Sequence, residues 1–217
     1  GACRKTLGGT MCPSYMVTRE EAHSTRGRAN ALRSVLSGTL PPTEFTGKRL
    51  HDILDLCLEC KGCKGECPSN VDLAKLKYEF LAAYNKRHGV PLRSRVLANI
   101  ASINRWSALI APIANLGMGN PLTRWLLHRF LGIHKKRRLP SLARNTFPNW
   151  FNKRGKASTR PASVRGQVVL FHDTFMDYNE PQVGRAAVEL LEAAGYEVVL
   201  ADKVCCGRPM ISKGLLE

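Results

Sequence analysis

Residues 57–68 read Cys57-Leu-Glu-Cys60-Lys-Gly-Cys63-Lys-Gly-Glu-Cys67-Pro68, a run of four cysteines followed by a proline. The cysteines are separated by two, two and three residues, which is the spacing of thiolate ligands to a 4Fe–4S cluster. The first three can wrap around one face of a cluster, whereas the fourth usually ligates a neighbouring cluster. Zinc sites more often combine two separate Cys-x-x-Cys pairs, so zinc and a disulfide framework are weaker interpretations.

A second pair of cysteines, Cys3 and Cys12, lies upstream, and Cys12 is followed by a proline as Cys67 is. We predict a crossed pairing, in which Cys67 joins Cys3 at a second 4Fe–4S cluster. The ligands predicted for the first cluster are Cys12, Cys57, Cys60 and Cys63. Because the chain begins at Gly1 without a methionine, we expect the remaining ligands of the second cluster upstream. The alternative for Cys3 is a free thiol near a chain end.

The composition bounds the class of protein. A chain of 217 residues can hold one or two domains with a real core. Its eight cysteines cluster at metal-ligand spacings, and no signal peptide is visible, which favours a reducing cytoplasm over secretion. No apolar stretch reaches the length needed to span a bilayer.

Positive charge is concentrated in the middle of the chain. The net charge is +16, yet between Glu79 and Asp173 there are 17 Lys and Arg and no acidic residue. The remainder carries 16 basic against 17 acidic residues, so the whole excess lies in this stretch. All three tryptophans are found there as well. The segment therefore suits an anionic partner.

The periodicity of apolar residues predicts an α+β fold in three parts. Residues 1–88 form a helical domain around the cysteines, and residues 89–165 form a basic helical connecting segment. From residues 134–138 onward, this segment is rich in Arg, Pro, Asn and Trp, which indicates a loop. In residues 166–217, a strand at 168–171, a helix from 181 to 195 and a second strand at 196–200 predict a parallel, right-handed βαβ unit. Cys205-Cys206-Gly207 follows the second strand, at the edge where α/β sheets place ligands.

Together these motifs resemble the iron–sulfur subunits or domains of flavin-dependent 2-hydroxyacid dehydrogenases. This family includes the glycolate oxidase iron–sulfur subunit, the anaerobic glycerol-3-phosphate dehydrogenase small subunit, and fused FAD and iron–sulfur D-lactate or D-2-hydroxyglutarate dehydrogenases. The resemblance is carried by residues 11–15 (MCPSY), 23–28 (HSTRGR), 57–68 and 205–209 (CCGRP). It implies a helical, ferredoxin-like domain with two 4Fe–4S clusters, followed by the start of an α/β Cys-Cys-Gly domain.

The resemblance also implies a function. A flavin would take two electrons from a 2-hydroxyacid, and the clusters would relay them singly to a quinone or another acceptor. FAD would lie in a partner domain or subunit, and this chain would carry no catalytic residue of its own. The residues expected to contact or tune a cluster are Lys61, Gly62, Lys64, Gly65 and Arg26, with Arg28 as a further buttress. The alternative role of the two lysines is a solvated face, and that of the two arginines is a surface pair.

Cys205 and Cys206 are candidate ligands of a further metal centre, as in heterodisulfide reductase-like proteins. The pattern departs from that family, because Asp173 or Thr174 stands where a preceding cysteine is expected. The chain also ends before any second Cys-Cys-Gly repeat. The alternative is that the pair shapes a tight turn and packs as small apolar side chains.

Three interpretations of the basic segment stay open: docking to the FAD-binding dehydrogenase, contact with an anionic membrane surface close to a quinone, and binding of nucleic acid, the weakest of the three. The leading function is an electron-transfer component, located in the cytoplasm or peripherally at the inner membrane face. The alternatives are a heterodisulfide reductase-like catalytic subunit and a nucleic-acid-binding protein with a structural cluster.

Overall fold

The computed structural model describes residues 1–154, 165–202 and 205–216. The chain divides into two compact units. The cysteine unit comprises Gly1–Ser94 and Pro209–Glu217, and the sheet unit comprises Arg95–Arg208. Within the described ranges, no helix is both long enough and apolar enough to cross a membrane.

The cysteine unit is built from short helices and cysteine-bearing loops. Its α-helices, together with the one that begins at its end, are α1 Pro13–Thr18, α2 Thr25–Leu36, α3 Lys48–Asp55, α4 Gly62–Glu66, α5 Leu73–His88 and α6 Leu92–Ala98. Its 3₁₀ helices are Ala2–Arg4, Glu21–His23 and Pro42–Thr46. Asp72 caps α5 by accepting a hydrogen bond from the Lys75 amide at 3.1 Å, and Ser24 caps α2 in the same way.

The core of the cysteine unit combines helix faces with the cysteines themselves. Leucines at helical spacing on α2, α3 and α5 are buried together with Met11, Phe80 and three of the cysteines. The buried cysteines are Cys3, Cys12 and Cys63. The helices thus bury the ends of the cysteine loops in an apolar environment, which confirms the predicted helical character of this region.

The sheet unit consists of a helical part and a two-stranded parallel sheet. Its elements are α7 Ile100–Ala108, α8 Ala111–Gly119, α9 Pro121–Leu131, α10 Phe147–Lys153, β1 Gly166–Leu170, α11 Thr174–Tyr178, α12 Pro181–Ala193 and β2 Tyr196–Leu200, and α13 Arg208–Ile211 follows. The strands pair from Gly166 with Tyr196 to Leu170 with Leu200. The predicted α+β class and the parallel βαβ arrangement are therefore confirmed.

Helix α10 packs on the βαβ element and joins the basic segment to it. Phe147 of α10 is fully buried with Val188 of α12 and Val198 of β2. Phe147 also approaches the ring of His172, whose Nδ1 lies 2.7 Å from a carboxylate oxygen of Asp177. These contacts join α10 and the βαβ element within one compact unit. The described part of the connecting segment beyond residue 94 shares a unit with the sheet, whereas residues 155–164 lie outside the described residues.

Candidate metal centre

Four of the predicted ligands line one cavity of the cysteine unit. Cys12, Cys57, Cys60 and Cys63 surround about 330 Å³ of space, part of which is open to solvent. Cys12 is the residue before α1, where Pro13 occupies the first helical position. The other three come from the loop after α3 and from the first turn of α4. The structure thus brings together the set predicted for the first cluster.

The loop between Cys57 and Cys63 has an unusual backbone. Glu59 and Lys61 are in the left-handed region, with φ of 55° and 59°, although neither is glycine. A backbone hydrogen bond from Glu59 acts on the thiol of Cys57 and lowers its pKa, whereas burial, the larger effect, raises it. The left-handed turns therefore curl the chain so that a backbone amide points at a cysteine sulfur, as a cluster loop requires.

Glu66 holds the Cys12 segment against α4. Its carboxylate accepts hydrogen bonds from the Thr10 amide at 2.7 Å, from the Thr10 hydroxyl, and from the Met11 amide at 3.4 Å. These bonds lower the pKa of Glu66. A Cβ on Gly62 would lie 2.8 Å from the Thr10 hydroxyl and 3.3 Å from the Thr10 carbonyl group, so a glycine there favours the close approach of the two segments.

The 23–28 motif forms the beginning of α2 and faces the cavity. The hydroxyl of Thr25 lies 2.8 Å from the sulfur of Cys12, and the Ser24 hydroxyl accepts from the Gly27 amide at 2.9 Å. A Cβ on Gly27 would lie 2.0 Å from the carbonyl oxygen of Glu21. The glycine therefore lets α2 start close enough to present Thr25 and Arg28 to the cysteines.

Arg28 is buried at the cavity and carries an unpaired nitrogen. Its side chain is 1% exposed. Nε donates to the carbonyl of Ile53 and Nη1 to the hydroxyl of Ser14, each at 3.0 Å, while Nη2 has no partner among the described residues. Burial lowers the pKa of Arg28, and the neighbouring thiols of Cys57, Cys12 and Cys63 oppose that shift. A buried cation with a free donor beside several thiols fits an anionic iron–sulfur cluster.

Burial also acts on the thiols. It raises the pKa of Cys12, against the opposing effects of the Thr25 hydrogen bonds and of the Arg28 charge. Ligation to iron requires thiolates, and a bare thiolate is costly in such a place. Arg28 is therefore positioned to offset part of the cost of placing negative charge in the cavity.

A second buried cation, Lys77, binds the backbone of the loop that carries Cys57. Lys77 of α5 is 5% exposed, and its Nζ donates to the carbonyls of Asp55 at 3.1 Å and Cys57 at 2.7 Å. The same Nζ lies 3.4 Å from the carboxylate of Glu59. Burial raises the pKa of Glu59, and Lys77 opposes the shift. Lys77 thus fixes both ends of the turn that carries Cys57.

The other predicted residues are placed differently. Cys3 and Cys67 pack in the same apolar cluster as Cys12 and Cys63 but do not line the cavity. Lys61 lines the cavity, and Lys61 and Lys64 reach the carboxylate of Asp72 at 3.4 and 3.8 Å. Arg26 pairs with Glu21 at 2.7 Å on the surface, and a Cβ on Gly65 would meet nothing within 4 Å.

The Cys-Cys-Gly residues belong to the sheet unit. Cys205 and Cys206 are both exposed. Asp173, which stands where a preceding cysteine is expected, caps α11 by accepting a hydrogen bond from the Met176 amide at 2.8 Å. Throughout the described ranges, no three His, Cys, Asp or Glu side chains are grouped closely enough to hold a single metal ion.

Comparison with known families agrees with this geometry. Residues 1–72 match the 4Fe-4S dicluster domain, and residues 169–215 match the cysteine-rich domain. The chain combines these two domains. The first match contains the six cysteines of the cysteine unit, and the second contains Cys205 and Cys206. The prediction of 4Fe–4S clusters as cofactors is thereby confirmed.

Three curated relatives match this chain over most of its length. The chain is 27% identical over 258 residues to D-2-hydroxyglutarate dehydrogenase of Pseudomonas putida, and the match covers 100% of this chain and 25% of the relative. It is 32% identical over 151 residues to one subunit of the anaerobic glycerol-3-phosphate dehydrogenase of Escherichia coli, covering 69% of this chain and 37% of the relative. It is 26% identical over 209 residues to a Bacillus subtilis protein named "Probable glycolate oxidase iron-sulfur subunit", covering 90% and 46%.

These relatives confirm the resemblance drawn from the cysteine motifs. The chain spans between about a quarter and about half of the length of the curated relatives it matches. No solved structure matches the chain significantly.

Proposed function

We propose that this chain is the iron–sulfur electron-transfer component of a flavin-dependent 2-hydroxyacid dehydrogenase. Cys12, Cys57, Cys60 and Cys63 hold one 4Fe–4S cluster, which accepts and donates one electron at a time when bound. Cys3 and Cys67 contribute to a second cluster. The observation that carries the proposal is the single cavity lined by four cysteines from two separate segments.

The chain's own residues prepare the site for electron transfer. Arg28 supplies positive charge at the cavity, and Lys77 and Glu66 hold the two cysteine segments in position. The electrons come from an FAD-binding dehydrogenase domain or subunit, and the names of the relatives support a partner of this class.

The first prediction concerns the metal content of anaerobically purified protein. We expect iron and acid-labile sulfide in equal amounts, with an EPR signal of a reduced cubane cluster. Cys60→Ser should remove roughly four irons per chain, because it deletes a ligand from the cavity. Iron and sulfide assays on the two proteins, together with the EPR spectra, check this expectation.

The double variant Cys205→Ser/Cys206→Ser is the matched control, since it removes two exposed cysteines of the sheet unit. Unchanged iron in the control assigns the clusters to the cysteine unit alone. Iron lost from the control instead assigns a further centre to the Cys-Cys-Gly residues and favours the heterodisulfide reductase-like alternative. Zinc without sulfide in the unmodified chain contradicts the electron-transfer role.

A surface of the sheet unit combines exposed apolar side chains with positive charge. Helices α7, α8 and α9, of which α8 contacts both neighbours, expose several large side chains of a kind that proteins usually bury. The most exposed are Trp106, Leu109, Ile113, Leu116, Leu122 and Phe130. Arg105, Arg124 and Arg129 lie on the same helices, and there is no acidic residue nearby in the sequence. We propose that this apolar basic surface contacts an anionic membrane and brings the relay close to a quinone.

Binding to vesicles tests the membrane contact. We expect the chain to bind vesicles that contain anionic lipid more tightly than neutral vesicles, because each nearby basic residue contributes roughly 1 kcal/mol. Trp106→Ser/Leu116→Ser should weaken binding roughly tenfold or more, since each apolar side chain contributes about 1.5–3 kcal/mol when buried. Sedimentation with vesicles at several salt concentrations provides the measurement.

Leu190→Ser is the control for this experiment, because Leu190 is 71% exposed on α12, outside α7–α9. It should leave vesicle binding unchanged. Equal binding of the unmodified chain to anionic and neutral vesicles contradicts the membrane contact and leaves docking to the FAD-binding partner as the role of the surface.

A further inference from the structure

The cavity contains a charged donor for which the described residues supply no acceptor. In the described part of the chain, the buried side-chain nitrogens without a hydrogen-bond partner are Nη2 of Arg28 and Nε of Arg185. Of the two residues, Arg28 lines the cysteine cavity. Leaving a buried donor unpaired is unfavourable, and more so when the donor is charged. An acceptor is therefore expected for Nη2.

The remainder of the guanidinium is held in place. Nε donates to the Ile53 carbonyl and Nη1 to the Ser14 hydroxyl. That hydroxyl in turn donates to the carbonyl of His23 at 2.7 Å. Because the guanidinium is planar and its donors have fixed directions, these two bonds also set the direction of Nη2. Arg28 cannot turn to the surface without breaking both.

Arg28 shares its cavity with cysteine thiols. The cavity that it lines is also lined by Cys12, Cys57, Cys60 and Cys63. Arg26, two residues earlier on the same helix, is satisfied by the carboxylate of Glu21 instead. The acceptor for Arg28 is therefore expected on the side of the cysteines.

We propose, on the basis of the function proposed above, that Arg28 Nη2 donates a hydrogen bond to a sulfur of the 4Fe–4S cluster at Cys12, Cys57, Cys60 and Cys63, and that Arg28 raises its reduction potential. Adding an electron increases the negative charge at the site, so a fixed cation and a charge-assisted hydrogen bond favour the reduced form. Arg28 acts as a positioning and tuning residue, and the cysteines remain the ligands.

Redox titration monitored by EPR tests the tuning role. The variants are Arg28→Gln, which removes the charge, and Arg28→Lys, which keeps the charge but lacks the planar set of N–H donors of the guanidinium. Arg33→Gln is the matched control, because Arg33 is an exposed residue of the same helix. We expect Arg28→Gln to make reduction about tenfold less favourable, which is a decrease of about 59 mV for one electron. Arg28→Lys should show a smaller decrease, and the control should keep the potential of the unmodified chain.

Pulsed EPR of protein with isotopically labelled arginine nitrogen tests the hydrogen bond directly. We expect a nitrogen coupling to the reduced cluster in the unmodified chain and in Arg33→Gln, and its loss in Arg28→Lys. A residue that only supported the fold would not produce this coupling. Iron content and circular dichroism of each variant establish that the compared proteins are folded and carry the same cluster.

An unchanged potential in a fully loaded Arg28→Gln, or a nitrogen coupling that persists in Arg28→Lys, overturns the inference while leaving the proposed function intact. If Arg28→Gln does not retain its cluster, the potential of Arg28→Lys decides: a decrease supports the tuning role and an unchanged value contradicts it. An unmodified chain without iron and sulfide overturns the proposed function and this inference with it.

Discussion

Replacing Gly27 with alanine is expected to disrupt the cysteine cavity more than any other single methyl group added to the cysteine unit. The new Cβ would lie 2.0 Å from the carbonyl oxygen of Glu21 and 2.7 Å from its carbonyl carbon. Both are backbone atoms, so no side chain can rotate away, and the start of α2 must shift. We expect a loss of roughly 3 kcal/mol in the free energy of unfolding.

The shift would act on the cavity through two side chains. Thr25, which contacts the Cys12 sulfur, and Arg28, which lies beside the thiols, flank Gly27 on the first turn of α2. Gly27→Ala should therefore reduce the iron bound per chain as well as the midpoint temperature of unfolding. Iron analysis and thermal unfolding of the full chain measure the two effects.

Gly65→Ala is the control, because it also lies in the cysteine unit and its Cβ would meet nothing within 4 Å. Alanine in a helix is preferred over glycine by up to about 1 kcal/mol, so the control should keep its iron and its stability. Equal loss of iron in both variants contradicts the role given to the close approach at Gly27. It would instead support the role predicted for Gly65 next to a cluster.

Replacing Gly184 with alanine is expected to destabilise the sheet unit by about 2 kcal/mol. The added Cβ would lie 2.6 to 2.8 Å from three atoms of the Phe147 ring. That ring is 0% exposed and packs against Trp150, Phe151 and His172, so it has little room to move. The contact joins α10 to α12, and its loss should loosen the helix that covers the βαβ element.

Gly117→Ala provides the matched comparison in the same unit. Gly117 lies within α8, and a Cβ there would meet nothing within 4 Å. We expect this variant to be neutral or more stable by up to about 1 kcal/mol. Thermal unfolding followed by circular dichroism distinguishes the two variants. A Gly184→Ala protein as stable as Gly117→Ala would contradict the packing of Phe147 against α12.

Local sequence predicts the strand, helix and strand of the βαβ unit, because each element depends on residues close together in the chain. The second strand was predicted at residues 196–200, as observed. Helix α10 was missed, although Thr146 accepts from the Asn149 amide at 3.4 Å and Pro148 lies in its first turn, as helix starts commonly do. The surrounding Arg, Pro and Asn residues indicated a loop, whereas burial of Phe147 against the sheet element favours a helix.

In the candidate site, too, some features follow from local sequence and others depend on tertiary packing. Cysteine spacing by itself predicts the cofactor, since ligation imposes short, regular distances along the chain. The grouping of Cys12 with Cys57, Cys60 and Cys63 is predicted from the Cys-Pro pair at residue 12, which repeats the pair at residue 67. No spacing rule distinguishes Arg26 from Arg28, and only the packing of α2 turns Arg28 inward and leaves Arg26 with Glu21.

The sequence indicates that Lys77 is buried with a partner, but it does not identify the partner. Lys77 lies between Leu73, Ala74 and Phe80 on the buried face of α5, where a charged residue is unusual and indicates a partner. Its partners, the carbonyls of Asp55 and Cys57, are some 20 residues away in sequence. The sequence alone thus determined the chemistry of the ligands and the local elements. The tertiary structure decided which charges face the cavity, because that depends on contacts between distant segments that periodicity does not encode.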